Sequence, residues 1–312
     1  MHFSFHTLKE TKDNLWESLL MKSECNLNYE AYFVKYQTIS YPLNSLSGLV
    51  FNDSIPVAMF VVYSDVQQTR ILPMSLPPIY FSDNPIIRSL ANDFYQNLIS
   101  CQNQFQELVL NNKRNVSWLP QLHVDSSELT SKATSSEFII ELEESEETLL
   151  DRMSRNHKRT IKNAIETGQR VIEISSCTAE KEINFYFNIY REMHTLVSGR
   201  ETRPIESFEF MKELIYRGIC KLFINFLEEE PISFLYCDSA REYARGWSQV
   251  TKPNLGKKIF PRTLLEWTAM KSYKKEGRKV YHLGALEKKP TNSISELYGF
   301  EEFKRRFGPT EI

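Results

Sequence analysis

Residues 220–250 constrain the fold more than any other part of the chain. Three apolar, β-rich runs, Cys220–Phe226, Ile232–Cys237 and Glu242–Val250, are separated by the short polar turns Glu228–Pro231 and Asp238–Arg241. Turns this short leave room for hairpins only, so the spacing predicts an antiparallel meander. Helical periods stand on either side. Ile183, Tyr186, Tyr190, Met193 and Val197 recur at three- and four-residue steps, and Phe208, Met211 and Ile215 repeat the pattern before Gly218. A helix is expected from Pro261 to Glu276, stopped by Gly277, and Arg278–Leu283 reads as a strand. Upstream, Phe138–Leu142 reads as a strand, and Ser145–Thr167 carries one helical period that ends at Gly168. A final helix is expected from Ser293 to Arg306.

The first half holds a fainter copy of this arrangement. Gly48–Val62 reads as strand, polar turn, strand, and Pro56 sits where Pro231 sits in the later hairpin, directly before the second strand. A lost backbone donor is tolerated there. Asn84–Asn111 is expected to be mostly helical. The Ser/Thr-rich stretch Asp125–Ser136 has no apolar period and reads as a linker. The expected organisation is therefore α+β, with domains at 1–130 and 137–312. The paired hairpins fit either a duplicated fold or two ordinary hairpins.

Composition narrows the classes of function. Of 312 residues, 41% are hydrophobic and 12% aromatic, which is enough for a sizeable core. A formal net charge of −2 argues against a strongly basic nucleic-acid binder. Five scattered cysteines without a CxxC pair read as reduced thiols, and residues 1–10 show no basic head with an apolar run. The longest apolar runs, such as Pro56–Tyr63, are of strand length, so a cytoplasmic location is expected. The six histidines have no metal-ligand spacing, and no metal is expected. P-loop, GxGxxG and GxSxG patterns do not occur. Acyl transfer to an amine fits what remains. It needs a nucleophilic amine, a proton acceptor and donors for an oxyanion.

Three stretches carry groups suited to that chemistry. In the first, Arg155, Lys158, Arg159 and Lys162 fall on one side of a helix at i, i+3, i+4 and i+7, beside His157. The stripe suits phosphates of a nucleotide, a sugar diphosphate or tRNA, and equally a solvated face. In the second, Lys252, Gly256, Lys257 and Lys258 form a basic loop leading into a helix, whose first N–H groups favour anions. An ordinary loop has the same composition. In the third, Phe300, Phe303 and Phe307 share one helical face, with Lys304 at its edge. Read alone, that segment is an aromatic-packed helix with a solvated lysine.

The second half resembles the FemAB family and related acyltransferases of the GNAT superfamily. The similarity spans about 170 residues, in order: the basic helix Arg155–Ala164 followed by Gly168, the helix pair and meander of 183–250, the helix from Pro261 to Gly277, the strand Val280–Ala285, and the closing Gly-Phe-x-x-Phe-Lys-x-x-Phe-Gly of Gly299–Gly308. The resemblance implies two tandem GNAT-like domains, each a mostly antiparallel mixed sheet flanked by helices. It implies an activated donor, acyl-CoA or aminoacyl-tRNA. It also implies an acceptor amine on a cell-envelope, amino-sugar or peptidoglycan precursor, a phosphate-bearing sugar or peptide. Within it, Lys304 is the residue that stabilises developing charge. The proton acceptor stays open among His282, Tyr281 and the substrate's own phosphate.

The chain departs from the family in several ways: the first half matches only loosely, and the helical arm that larger members insert is not visible. His282 stands where an acid is usual, and Lys252–Lys258 lacks the Arg/Gln-x-x-Gly-x-Gly/Ala pattern of acetyl-CoA binders. A non-catalytic pair of GNAT-like domains that binds a nucleotide-sugar or tRNA is the rival expectation.

Overall fold

The computed structural model describes residues 3–11, 13–21, 23, 27–41, 43–65, 78–100, 137–255, 259–285 and 301–311. It divides into two compact units, residues 1–132 and 133–312.

In the first unit, β1 (Phe3–Thr7), β3 (Gly48–Asn52), β4 (Ile55–Phe60) and β6 (Ile79–Tyr80) form one sheet in the order β1-β3-β4-β6. All its pairings are antiparallel. A second, two-stranded sheet joins β2 (Leu43–Ser45) to β5 (Tyr63–Asp65). Strand alternation sends residues to two cores. Val50, Ala58, Phe60 and Val62 pack with Ala91, Phe94 and Tyr95 of α3 (Pro85–Ser100). Leu49, Met59, Val61 and Tyr63 pack with Trp16, Leu19 and Leu20 of α1 (Asp13–Leu20) and Val34 of α2 (Ala31–Ser40). Both faces of this sheet are thus covered. The expected hairpin at Gly48–Val62 is present, turning through Asp53 and Ser54 at positive φ. The expected helix at 84–111 is described from Pro85 to Ser100, and its remainder and the linker lie outside the described residues.

The second unit is built on a seven-stranded sheet. Its strands are β7 (Glu137–Glu141), β8 (Gln169–Ile174), β9 (Cys220–Leu227), β10 (Glu230–Ala240), β11 (Tyr243–Thr251), β12 (Val280–Ala285) and β13 (Thr310–Glu311). They lie in the order β13-β7-β12-β11-β10-β9-β8. The meander β9-β10-β11 is antiparallel as the turn spacing predicts. Where the sequence predicts one helix over 145–167, the structure has two, α4 (Glu146–Arg152) and α5 (Arg155–Glu166). Ser154 is extended and its side chain accepts from the His157 N–H, so it starts a new helix instead of continuing the old one. Helices α6 (Glu180–Ser198) and α7 (Ile205–Tyr216) follow, and α8 (Pro261–Lys275) connects β11 to β12.

Alternation divides this sheet as well. Leu235, Cys237, Ala244 and Tyr281 face the core formed with Ile161 and Ala164 of α5 and Leu265, Ala269 and Met270 of α8. Phe234 and Tyr236 face the opposite way, against Phe187 and Tyr190 of α6, and the Tyr236 hydroxyl donates to the Met211 carbonyl of α7 at 2.7 Å.

Two irregularities prepare the site. Pairing of β11 with β12 is parallel and covers only Tyr243–Arg245 against Val280–His282. Past that point β12 follows β7, with a register shift between His282 and Gly284, and β11 follows β10 to Thr251. The two strands therefore separate. In addition, Tyr236 faces Ser248 while the next residue, Cys237, faces Gly246, so Trp247 is the extra residue of a bulge.

Candidate active site

A cavity of about 700 Å³ occupies the separation between β11 and β12. Its lining runs along Gly246–Thr251 on one strand and Leu283–Gly284 on the other, and includes Arg262 and Glu266 of α8, Lys304, and His194 and Val197 of α6. Because the strands part, side chains from both faces of the sheet reach one space.

Glu266 is the most constrained of these groups. Only 6% of it is exposed, although Leu264, Leu265 and Trp267 around it are core residues. Its Oε2 accepts a 2.6 Å hydrogen bond from the Tyr281 hydroxyl, which is itself fully buried. Burial pushes the Glu266 carboxyl above its usual range, opposed by the Tyr281 hydrogen bond and the charges of Arg262 and Lys304. Burial also raises Tyr281 well above the usual phenol value, which keeps it a proton donor. Gly246 makes room for the pair. A Cβ on that residue would lie 3.0 Å from the Tyr281 hydroxyl and 3.2 and 3.3 Å from the two carboxylate oxygens.

Lys304 reaches the same space from the C-terminal segment, where residues 301–305 are helical. A Cβ on Gly284 would meet its Nζ at 3.3 Å, so the ammonium lies over the backbone at the point where β12 turns away at φ +87°. The segment is held by its aromatic face. His157 of α5 packs edge-on against Phe307 at 4.4 Å, and its Nε2 lies 3.1 Å from the Phe303 carbonyl. Arg262 lies over the Phe303 ring, with its Cζ 4.4 Å from the centroid. Burial lowers the Arg262 pKa, partly offset by Glu266.

The wall from α6 is neutral. The Ser248 hydroxyl accepts from the Tyr190 hydroxyl at 2.8 Å and from Arg203 Nη2 at 3.2 Å. Its own hydrogen is left to point at His194 Nε2, 3.4 Å away. Burial, helped by the Arg203 charge, holds His194 at about 4, so its imidazole is uncharged near neutral pH.

Of the residues singled out in the sequence, Lys304 lines this cavity, and Tyr281 lies behind the lining, bonded to the cavity residue Glu266. His282 does not line it. As the next residue on a strand it points to the opposite face, where its ring packs 5.5 Å from Tyr243. The basic stripe does not line it either. Arg155, Arg159 and Lys162 are exposed; Lys158 approaches Asp151 at 3.5 Å, Lys162 approaches Glu166 at 3.7 Å, and Arg159 donates to Asn156 at 3.1 Å. Lys252 pairs with Glu230 at the end of the meander. Gly256, Lys257 and Lys258 lie outside the described residues.

Glu266 and Arg262 were not singled out. Their signal was present: two opposite charges spaced i, i+4 in the largely apolar run Pro261–Trp267, where an uncompensated charge would be costly to bury. Among the described residues no three side chains are grouped to hold a metal ion, and no helix is long and apolar enough to cross a membrane.

No family model matches the chain, and no curated protein matches it in sequence. Solved structures do match. The chain is similar to FemX over 100% of its own length and 95% of that chain, at 12% identity and a TM-score of 0.65. It is similar to L-PGS from Bacillus licheniformis over 96% and 89%, at 11% identity and a TM-score of 0.53. It is also similar to a tandem GNAT protein from the clavulanic acid biosynthesis pathway over 99% and 95%, at 10% identity and a TM-score of 0.52. The fold is therefore the FemAB-like, tandem GNAT-like α+β fold that the sequence resemblance implies.

Proposed function

We propose that this protein is an N-acyltransferase. It moves an acyl or aminoacyl group from an activated carrier, acyl-CoA or aminoacyl-tRNA, to an amine on a cell-envelope, amino-sugar or peptidoglycan precursor. The observation that carries the reading is the buried Glu266–Tyr281 pair opposite Lys304 in the opening between two parallel strands. Among the described residues β12 pairs with β11 only as far as Arg245, and the edge of β11 past that point suits an extended, amide-bearing carrier arm. The acceptor nitrogen attacks the carbonyl carbon of the thioester or ester. Glu266, held by Tyr281, takes the proton from nitrogen, and Lys304 faces the oxyanion. The new C–N bond forms as the C–S or C–O bond breaks, and the departing thiolate or alkoxide takes up a proton. Such carriers place the reaction in the cytoplasm.

This reading gives the role of proton acceptor, open in the sequence among His282, Tyr281 and the substrate's own phosphate, to Glu266, with Tyr281 as the group that positions it. The stripe Arg155, Lys158, Arg159 and Lys162 and the loop at Lys252, Gly256, Lys257 and Lys258 remain proposed contacts for phosphates of the carrier or precursor. The test is transfer of a labelled acyl group by the purified protein. Lys304→Met should slow transfer by at least about tenfold, equivalent to roughly 1.4 kcal/mol of barrier. Transfer at the parental rate by folded Lys304→Met overturns its role. Carrier-dependent thermal stabilisation with no turnover supports the binding-only rival instead.

A further inference from the structure

Native proteins leave few buried polar atoms without a partner, and each one that stays unpaired calls for a reason. Gln249 of β11 lines the cavity, and both ends of its side-chain amide, Oε1 and Nε2, are buried with no hydrogen-bond partner among the described residues. Solvent does not offset the cost, because the two atoms are out of its reach. The neighbour across the strand pair gives no reason for an amide: Leu235 on β10 is apolar and belongs to the core. Partners across an antiparallel pair share a face, so the Gln249 side chain stands on the α8 side of the sheet with Leu235. Gly246, opposite Cys237, lies on that face too, and its missing side chain makes room for Tyr281 and Glu266. Gln249 is three positions beyond Gly246, within roughly 10 Å along the strand. It therefore stands just past the reacting groups, where the pairing of β11 with β12 has ended among the described residues.

We propose that Gln249 is a specificity residue that binds an amide-bearing chain of the substrate. A carboxamide offers a donor and an acceptor side by side. An extended chain presents an N–H and a C=O to such a pair, as one strand does to its neighbour. The last torsion of a glutamine is soft, so the amide turns from its buried position toward a ligand at little cost. Two reactants of the transfer reading bring such chains: the pantetheine arm of an acyl-CoA, and the peptide of a precursor. A phosphate or a ribose has no N–H to offer. The proposal rests on the transfer reading for this choice of ligands, but it concerns binding and is tested without turnover.

Isotope labelling of glutamine nitrogen makes the Gln249 side-chain amide its own probe in magnetic resonance, and the signal missing from Gln249→Met assigns it. The whole protein is titrated with pantetheine, with N-acetylglycine N-methylamide as a minimal peptide, and with triethylene glycol, which has no N–H. Pantetheine or the peptide should bind saturably, move the Gln249 signal, and bind Gln249→Met at least about tenfold more weakly. Triethylene glycol should do none of these. Tighter binding of pantetheine assigns Gln249 to the carrier, and tighter binding of the peptide assigns it to the acceptor. Ligand-free Gln249→Met should melt at or above the parental temperature, since the substitution removes a buried amide that has no partner. No saturable binding of either amide, equal binding to folded Gln249→Met, or a melting temperature lowered by the substitution each overturns the proposal. A protein that binds an amide through Gln249 and transfers no acyl group would refute the transfer reading and leave this one standing.

Discussion

Glu266 combines two costs that a structural residue would avoid: a carboxyl with 6% exposure, and a raised pKa in an apolar helix. A base with a raised pKa takes a proton from an ammonium or amine more readily, which is what acyl transfer requires. The same shift has a thermodynamic sign. Between the unfolded value of 4.5 and the higher folded value, the folded protein holds the proton more tightly. Stability therefore falls as pH rises through that window. Glu266→Gln should lower transfer by about a hundredfold or more while raising stability, with the gain increasing above pH 4.5. Urea midpoints of both proteins across pH check the second part, and a gain that shrinks with rising pH would sink it. Lys304 stood out in the sequence only through the family resemblance of its motif, because the aromatic spacing alone reads as a packed helix with a solvated lysine. Glu266 was hidden because helix periodicity registers apolar residues, and its partner Tyr281 is 15 positions away on another strand. His282 stood out by its position in a motif, which says nothing of the face to which a strand residue points.

The separation of β11 from β12 is the element on which the site depends, and two glycines show how. Gly246→Ala would place a Cβ at 3.0–3.3 Å from Tyr281 and Glu266, so these groups must shift by a few tenths of an ångström. Transfer should fall by about tenfold with little change in melting temperature, since the catalytic geometry tolerates less than the packing does. An equal loss of both would make the residue merely structural. Gly308 anchors the other wall. It leaves the C-terminal helix at φ +70°, and a Cβ there would meet the Arg152 carbonyl oxygen at only 2.4 Å. Gly308→Ala should cost at least about 2 kcal/mol in stability, read from denaturation midpoints, because both backbone conformation and space forbid it. The meander and α8 were legible from turn chemistry and apolar period. The break between α4 and α5 was less so: one Ser side chain ends a period that the apolar residues continue. The parallel pairing that opens the cavity is a long-range matter, decided when β12 returns beside β11 after α8.

At the scale of the whole chain, two buried histidines set the acid limit. His157 fastens α5 to the C-terminal segment, and His194 forms the neutral wall of the cavity. Burial lowers each from 6.5 to about 4. Below pH 6.5 the unfolded chain takes up protons that the folded one refuses, so stability is lost as pH falls toward 4. Each histidine should remove about 2 kcal/mol between pH 7 and pH 5, opposite in sign to the Glu266 contribution. Denaturation at the two pH values should therefore show an acid-labile second unit. His157→Gln, which keeps a donor for the Phe303 carbonyl, should reduce the difference by about half. If His157→Gln leaves the difference unchanged, the histidine is solvated in the folded state and the packing of Phe303 and Phe307 around it is misassigned. His194 answers a separate question. Its neutrality leaves Arg262, Glu266 and Lys304 as the charged groups among the described residues that line the cavity. A transfer rate that falls below pH 6.5 in parallel with stability would reflect loss of the fold. A rate that falls on acidification while the protein remains folded would reflect protonation of Glu266 or of the acceptor amine. Measuring both across one pH series separates the chemistry of the site from the stability of the unit that holds it.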